Sequence, residues 1–150
     1  MFVTKEFHIT TKKPLEIIDI TDKVRQFLTQ HHCKDGLVNV FTRHTTATIK
    51  INEFEDGFAK DLQIRCDTYV PVDCFYHHND LPNRDPKTMY TDKEESLDGH
   101  SHIRYLLLGV TSETIPVKDG EMLLGVWQSI LFIEMDHGRE RNVIFSFIGE

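Results

Sequence analysis

The segment Asp98-Gly-His-Ser-His102 sets two imidazoles two positions apart. An unperturbed imidazole titrates at about pH 6.5, so near neutrality it can ligate a metal, move a proton or contact a phosphate. His77 and His78 stand upstream in Tyr-His-His-Asn, and His44 stands in Arg43-His-Thr-Thr-Ala47. A catalytic zinc typically takes three protein ligands and keeps one position open. His44, His78 and His102 could supply three imidazoles from three segments to a divalent ion, zinc or magnesium, with Asp98 or Asp61 hydrogen-bonded behind them. No His-Glu-x-x-His pattern accompanies them, so a surface or structural role stays open for each histidine.

Two other chemistries are available. Thr45 and Thr46 place hydroxyls beside Arg43 and His44, while Arg139 and Arg141 place two guanidiniums near a turn, on one side of a strand. A planar guanidinium fork suits phosphate oxygens, so a small phosphorylated molecule is a candidate ligand; a solvated hairpin end is the plain alternative. No glycine-rich nucleotide loop is present. For acid–base work, Glu53 follows Asn52 at a strand end and Asp61 lies two helical turns on. Glu53 could equally serve only to complement a helix dipole. Trp127-Gln128 could cradle a ligand or be a core aromatic beside a satisfied amide.

Composition bounds these options. At 150 residues the chain is one domain's length, 1–150, able to hold a core without staples. A formal net charge of −7 disfavours a nucleic-acid binder, whose affinity comes from many cationic contacts. No apolar run is long enough to span a bilayer and no secretory signal is visible, so no membrane partner is expected. Cys33, Cys66 and Cys74 form an odd set without Cys-x-x-Cys spacing, which fits a reduced, cytoplasmic protein.

The elements that must position these groups can be read in order. Residues 2–10 alternate as a strand, residues 16–20 give a second, and Asp19 or Thr21 would cap a helix burying Val24, Phe27 and Leu28. Residues 36–42 read as a strand, with 47–51 as its continuation or hairpin partner. The spacing predicts a helix over 54–66, capped by Asn52, with Phe54, Phe58 and Leu62 inward. Residues 67–97 hold three prolines and an Asn/Asp cluster and predict a long, site-forming loop. A helix over 101–108 follows, stopped by Gly109. Positions i and i+2 lie about 200° apart on a helix, so His102 is the better inward candidate and His100 the cap. Residues 111–117 form a strand in which Pro116 marks an edge or bulge, Asp119-Gly120 a type I′ turn, and 122–134 and 142–148 further strands. Strands first, then helices, then a meander give α+β: a large, mainly antiparallel, sandwich- or barrel-like sheet with about three helices on it.

Blocks 44–53, 98–103, 115–120, 124–128 and 136–141, in one order along the chain, strongly resemble the YjbQ-like family, also called the secondary thiamine-phosphate synthase family. The resemblance runs from about residue 3 to residue 150. It implies an α+β domain assembled as a homotrimer and a polar pocket. It also implies thiamine-phosphate synthase activity, a transferase reaction joining a pyrimidinylmethyl diphosphate to a thiazole phosphate. Carried over by position, it marks His44 with Thr45 and Thr46, Asn52 with Glu53, Asp61, Tyr76 with His78, His102, Trp127 with Gln128, and Arg139 with Arg141. In that reaction His44, Glu53 and Asp61 would be catalytic, and His44, His78 and His102 would hold the metal. The loop between His78 and Asp98 looks longer than the family's usual linker, Asp98 stands where asparagine is common, and Ala47-Thr48 replaces a frequent Ala-Gly. A metal-dependent phosphate-ester hydrolase and a non-catalytic small-molecule or metal-binding trimer are the competing expectations.

Overall fold

Alternating side chains along residues 2–10, 36–42 and 140–149 become strands in the computed structural model, which describes residues 1–92 and 94–150. In chain order the elements are β1 (Phe2–Thr10), β2 (Ile17–Asp19), α1 (Thr21–Gln30), β3 (Gly36–Thr42), β4 (Ala47–Asn52), α2 (Asp56–Tyr69), α3 (Gly99–Leu108), β5 (Ser112–Lys118), β6 (Glu121–Met122), β7 (Ser129–Glu134) and β8 (Glu140–Gly149). Three short 3-10 turns, His77–Asn79, Leu81–Asn83 and Pro86–Thr88, punctuate the long connection between α2 and α3. Lys93 of that connection lies outside the described residues. Three helices on an antiparallel sheet system make the fold α+β.

Two antiparallel sheets carry the core, ordered β1-β8-β3-β5-β6 and β2-β7-β4. Val38, Val40, Phe145 and Phe147 of the first meet Ile49, Ile130 and Phe132 of the second, with Val24, Phe27 and Leu28 of α1 beside them. Each of these phenylalanines is essentially solvent-free, a burial worth about 2–3 kcal/mol apiece. β7 is covered on both faces. Ile130 and Phe132 point between the sheets, while Leu131 and Ile133 pack against Leu15, Cys66, Phe58, Leu62 and Tyr105. That double burial explains its unbroken apolar run.

Several local expectations need correction. β4 is not the partner of β3; it pairs with β7, so residues 43–46 cross between the sheets. α2 begins at Asp56, because the Glu55 carboxylate accepts the amides of Gly57 at 2.5 Å and Phe58 at 2.8 Å. Asn52 instead accepts from the Glu53 amide, and Phe54 is exposed. The α1 cap position is Ile20, without a side-chain cap, and Asp19 Oδ1 holds the Thr21 amide at 2.9 Å. Residues 123–128 form no strand, which leaves Val126 and Trp127 outside the core. Gly109 ends α3 in an extended conformation rather than a left-handed one. Pro116 pairs with Leu37 of β3 and its carbonyl accepts from Leu123, just beyond the two register pairs of β6.

Asp119 and Gly120 have φ of 53° and 83°, as a type I′ turn requires. Gly120→Ala should therefore cost about 1–2 kcal/mol, read as a lower urea midpoint at unchanged slope. An unshifted midpoint would show the turn can relax.

Candidate functional site

A close approach at Gly99 builds the site. The Gly99 amide donates to Asn79 Oδ1 at 2.9 Å, and a Cβ at position 99 would sit 2.6 Å from Tyr76 Cβ. Only glycine lets the 77–79 turn press on the start of α3. That contact brings His78 against His102, ring centroids 4.5 Å apart. Asp98 stands one turn before His102 and faces the same way. Its Oδ1 lies 3.2 Å from His78 Nε2 and 3.5 Å from His102 Nε2. One ligand atom from each of the three falls within 4.8 Å of the others.

His100, on the opposite side of α3, is buried with Nε2 3.0 Å from Ser101 Oγ, which donates to Asp136 Oδ1 at 3.2 Å. Its expected separation from His102 is observed, though it lies within the helix and not at the cap. Arg104, 1% exposed, anchors the helix by donating from Nε and Nη2 to the Val70 carbonyl at 3.0 and 2.8 Å.

The three groups sit in the wall of a cavity of about 700 Å³. Arg43, His44, Thr45, Thr46, Arg139 and Arg141 form another wall, and Arg84, Lys87, Met89 and Glu95, from the strap that leads to α3, form a third. Arg84 ties the strap to the metal-ligand candidates, donating to the His78 carbonyl at 3.3 Å and Glu95 Oε2 at 3.4 Å. Arg141 is already committed: its fork grips the fully buried Glu134, and Nη2 reaches Thr46 Oγ1 at 3.0 Å. Arg139 pairs with Asp136, and Arg43 with Glu6 at 2.9 Å.

Electrostatics follow from this crowding. Burial, with the charges of His102 and Arg84, pushes His78 below its ordinary value. Burial alone would raise Asp98, but the hydrogen bond from His102 and the nearby cationic side chains outweigh it and hold the carboxyl low. Burial and Arg141 lower His44, and burial and Arg104 lower His100. These three histidines have folded values below the unfolded 6.5, so in that window the unfolded chain binds protons the folded chain refuses. Metal-free protein should therefore lose stability as pH falls below about 6.5, seen as a lower Tm near pH 5.5 than near pH 7.5. Equal melting at both would contradict the lowered values.

Of the residues singled out from sequence, His44, Thr45, Thr46, His78, His102, Arg139 and Arg141 meet at the cavity. His44 stands outside the His78–Asp98–His102 cluster, since its Nε2 accepts the Asn142 amide at 2.9 Å. Glu53, just past the end of β4, and Asp61, on α2, are exposed and do not line it. Asn52 lines a separate, mainly apolar cleft of about 180 Å³ with Phe58 and Leu62. Trp127 is 73% exposed, and Gln128 Oε1 accepts the Gly125 amide at 2.8 Å, a turn rather than a cradle. Sequence reasoning placed Asp98 behind the ligands rather than among them, and missed Glu134, Asp136, Arg84 and Lys87. Glu134 alone left a signal, as the acid in the inward phase of β7.

The family profile described as UPF0047 protein YjbQ-like matches residues 5–150. The chain belongs to the YjbQ-like UPF0047 family. A UPF0047 protein of Methanothermobacter thermautotrophicus is 38% identical over 98% of this chain and 92% of its own length. The family member YugU of Bacillus subtilis is 31% identical over 97% of this chain and 98% of its own. Among solved structures, APE1520 of Aeropyrum pernix superposes with a TM-score of 0.84 at 31% identity, covering 99% of both chains. The YjbQ-like fold also matches SSO2532 of Sulfolobus solfataricus, with a TM-score of 0.84 at 26% identity over 100% and 99% of the two chains. No helix among the described residues is long and apolar enough to cross a membrane.

Proposed function

We propose that this protein is a divalent-metal-dependent enzyme acting on a small phosphorylated molecule, in its specific form a transferase that couples a pyrimidinylmethyl diphosphate to a thiazole phosphate. The observation that carries the reading is the convergence of His78, Asp98 and His102, from two chain segments, beside an arginine-rich cavity wall. Two imidazoles and one carboxylate suit zinc or a similar transition ion better than magnesium, which prefers oxygen donors and its own waters. The lowered His78 and Asp98 values leave both groups in their ligating form near neutrality. Bound there, the ion would supply Lewis-acid stabilisation of charge developing on phosphate oxygens.

The chain's own groups would do the rest. Arg139 and Lys87 present cationic charge to the anion, and Arg141, held by Glu134, contributes through its field more than by contact. The threonine hydroxyls can donate to phosphate oxygens or accept from the other substrate. Glu53, Asp61, Asn52, Trp127 and Gln128 would join the chemistry only through a neighbouring copy, as the implied homotrimer allows. Exposed Leu106, Val126 and Trp127 support such an assembly. Light scattering reports its size.

A second reading, phosphate-ester hydrolysis, is favoured by the donor count alone: three protein ligands leave room for a water. The test is one protein preparation loaded with zinc and assayed for both coupling and phosphatase turnover. Coupling supports the first reading and ester cleavage the second; zinc binding without turnover would leave a non-catalytic binding protein.

A further inference from the structure

The sequence alone offers His44 as both a catalytic group and a metal ligand, but the backbone gives it a different character. Its Nε2 lies 2.9 Å from the Asn142 main-chain nitrogen. An amide nitrogen only donates, so Nε2 must offer its lone pair and carry no proton. In a neutral ring the proton then resides on Nδ1. No side chain or main-chain group engages Nδ1 among the described residues, and it is not sealed from solvent in this half-buried residue, which lines the cavity. Protonating Nε2 would set two donors head to head and place a cation beside Arg141, Arg43 and Arg139, a repulsion that the Glu134 carboxylate offsets only in part.

We propose that His44 is a fixed, neutral hydrogen-bond donor that presents Nδ1–H to an anionic oxygen of the ligand, and is neither a metal ligand nor a general base. The ligand half of this rests on the reading of the cavity as a site for a phosphorylated molecule. Nε2 cannot take a metal or a substrate proton without losing the Asn142 amide. Nδ1 already holds its proton, so it cannot act as an acceptor either. What remains is a donor, held in place by β8, that adds no charge to a wall already rich in guanidinium. Such a group is selective: it suits an acceptor oxygen, as on a phosphate ester, and rejects an amine or ammonium at the same point.

The full chain, labelled with 15N-histidine, tests the tautomer directly. The ring resonances of His44 should show Nε2 bare and Nδ1 protonated; the reverse tautomer, or an imidazolium at neutral pH, overturns the proposal. Zinc should shift the ring nitrogens of His78 and His102 and leave those of His44 in place; direct ligation of His44 overturns it equally. Calorimetry with inorganic phosphate tests the ligand half. H44N keeps an amide nitrogen near the Nδ1 position and should bind within about threefold of the parent. H44Q keeps only the acceptor end for Asn142 and should bind about tenfold more weakly, the worth of one hydrogen bond. Equal binding by H44Q and the parent overturns the donor role. A parent protein that shows the Nδ1–H tautomer yet never binds phosphate removes the anion-site reading and leaves the tautomer assignment standing.

Discussion

Glu134→Ala is expected to lower the unfolding free energy by roughly 3–5 kcal/mol, with a fall in Tm on the order of 10 °C. The Arg141 and Glu134 side chains are 4% and 0% exposed, so neither can turn to water when its partner is lost. Glu134 also accepts from Thr11 Oγ1 at 2.8 Å and from the Asp136 amide at 3.0 Å, so the substitution removes an acceptor from three residues at once. Breaking a buried pair is costly because the survivor keeps its charge without compensation. Replacing both partners with apolar residues of similar size, Glu134→Leu with Arg141→Met, should recover much of the loss. Chemical denaturation of the parent, the single and the double variant checks this. A single variant that melts beside the parent would mean that water reaches the pair.

His102→Ala and Asp98→Asn should each weaken zinc binding on the order of 100-fold or more, and His102→Ala should leave the metal-free fold nearly untouched. His102 is one-third exposed and packs on His78 rather than in either apolar core, so its loss belongs with substitutions worth about 0.5 kcal/mol. Asp98→Asn keeps the shape but removes the charge that draws both imidazoles together. Metal content after dialysis against a competing chelator reads the affinity, and a melt in chelator reads the fold. Coupling or esterase turnover should vanish with the metal. Zinc content and turnover that survive His102→Ala would end the case for this cluster as the reaction centre.

Much of the frame could be read from the sequence because its signals are local. β1 and β3 follow the alternation of their residues, and the type I′ turn follows from Asp119-Gly120. Helix α1 buries Val24, Phe27 and Leu28 as their spacing requires. What escaped depended on distant partners. The partner of β4 is set by the two-sided burial of β7, about 80 residues on, which no window around Ala47 reveals. The start of α2 turned on Glu55, a less usual cap than Asn52. At the site, the i, i+4 spacing of Asp98 and His102 was legible, but the arrival of His78 required the Tyr76–Gly99 contact across the long loop. Arg139 and Arg141 share a strand direction on paper. In space one answers to Asp136 in the turn and the other to Glu134 between the sheets.

The pairing of β1 with β8 has a consequence for how the protein is made. Thr10 finds its place only opposite Glu140, and Phe2 only opposite Ile148. A ribosome adding 5–20 residues per second leaves the first strand waiting on the order of ten seconds for its mate. Throughout that interval an amphipathic ribbon bearing Val3, Phe7 and Ile9 stands without a neighbour, available to chaperones and to other nascent chains.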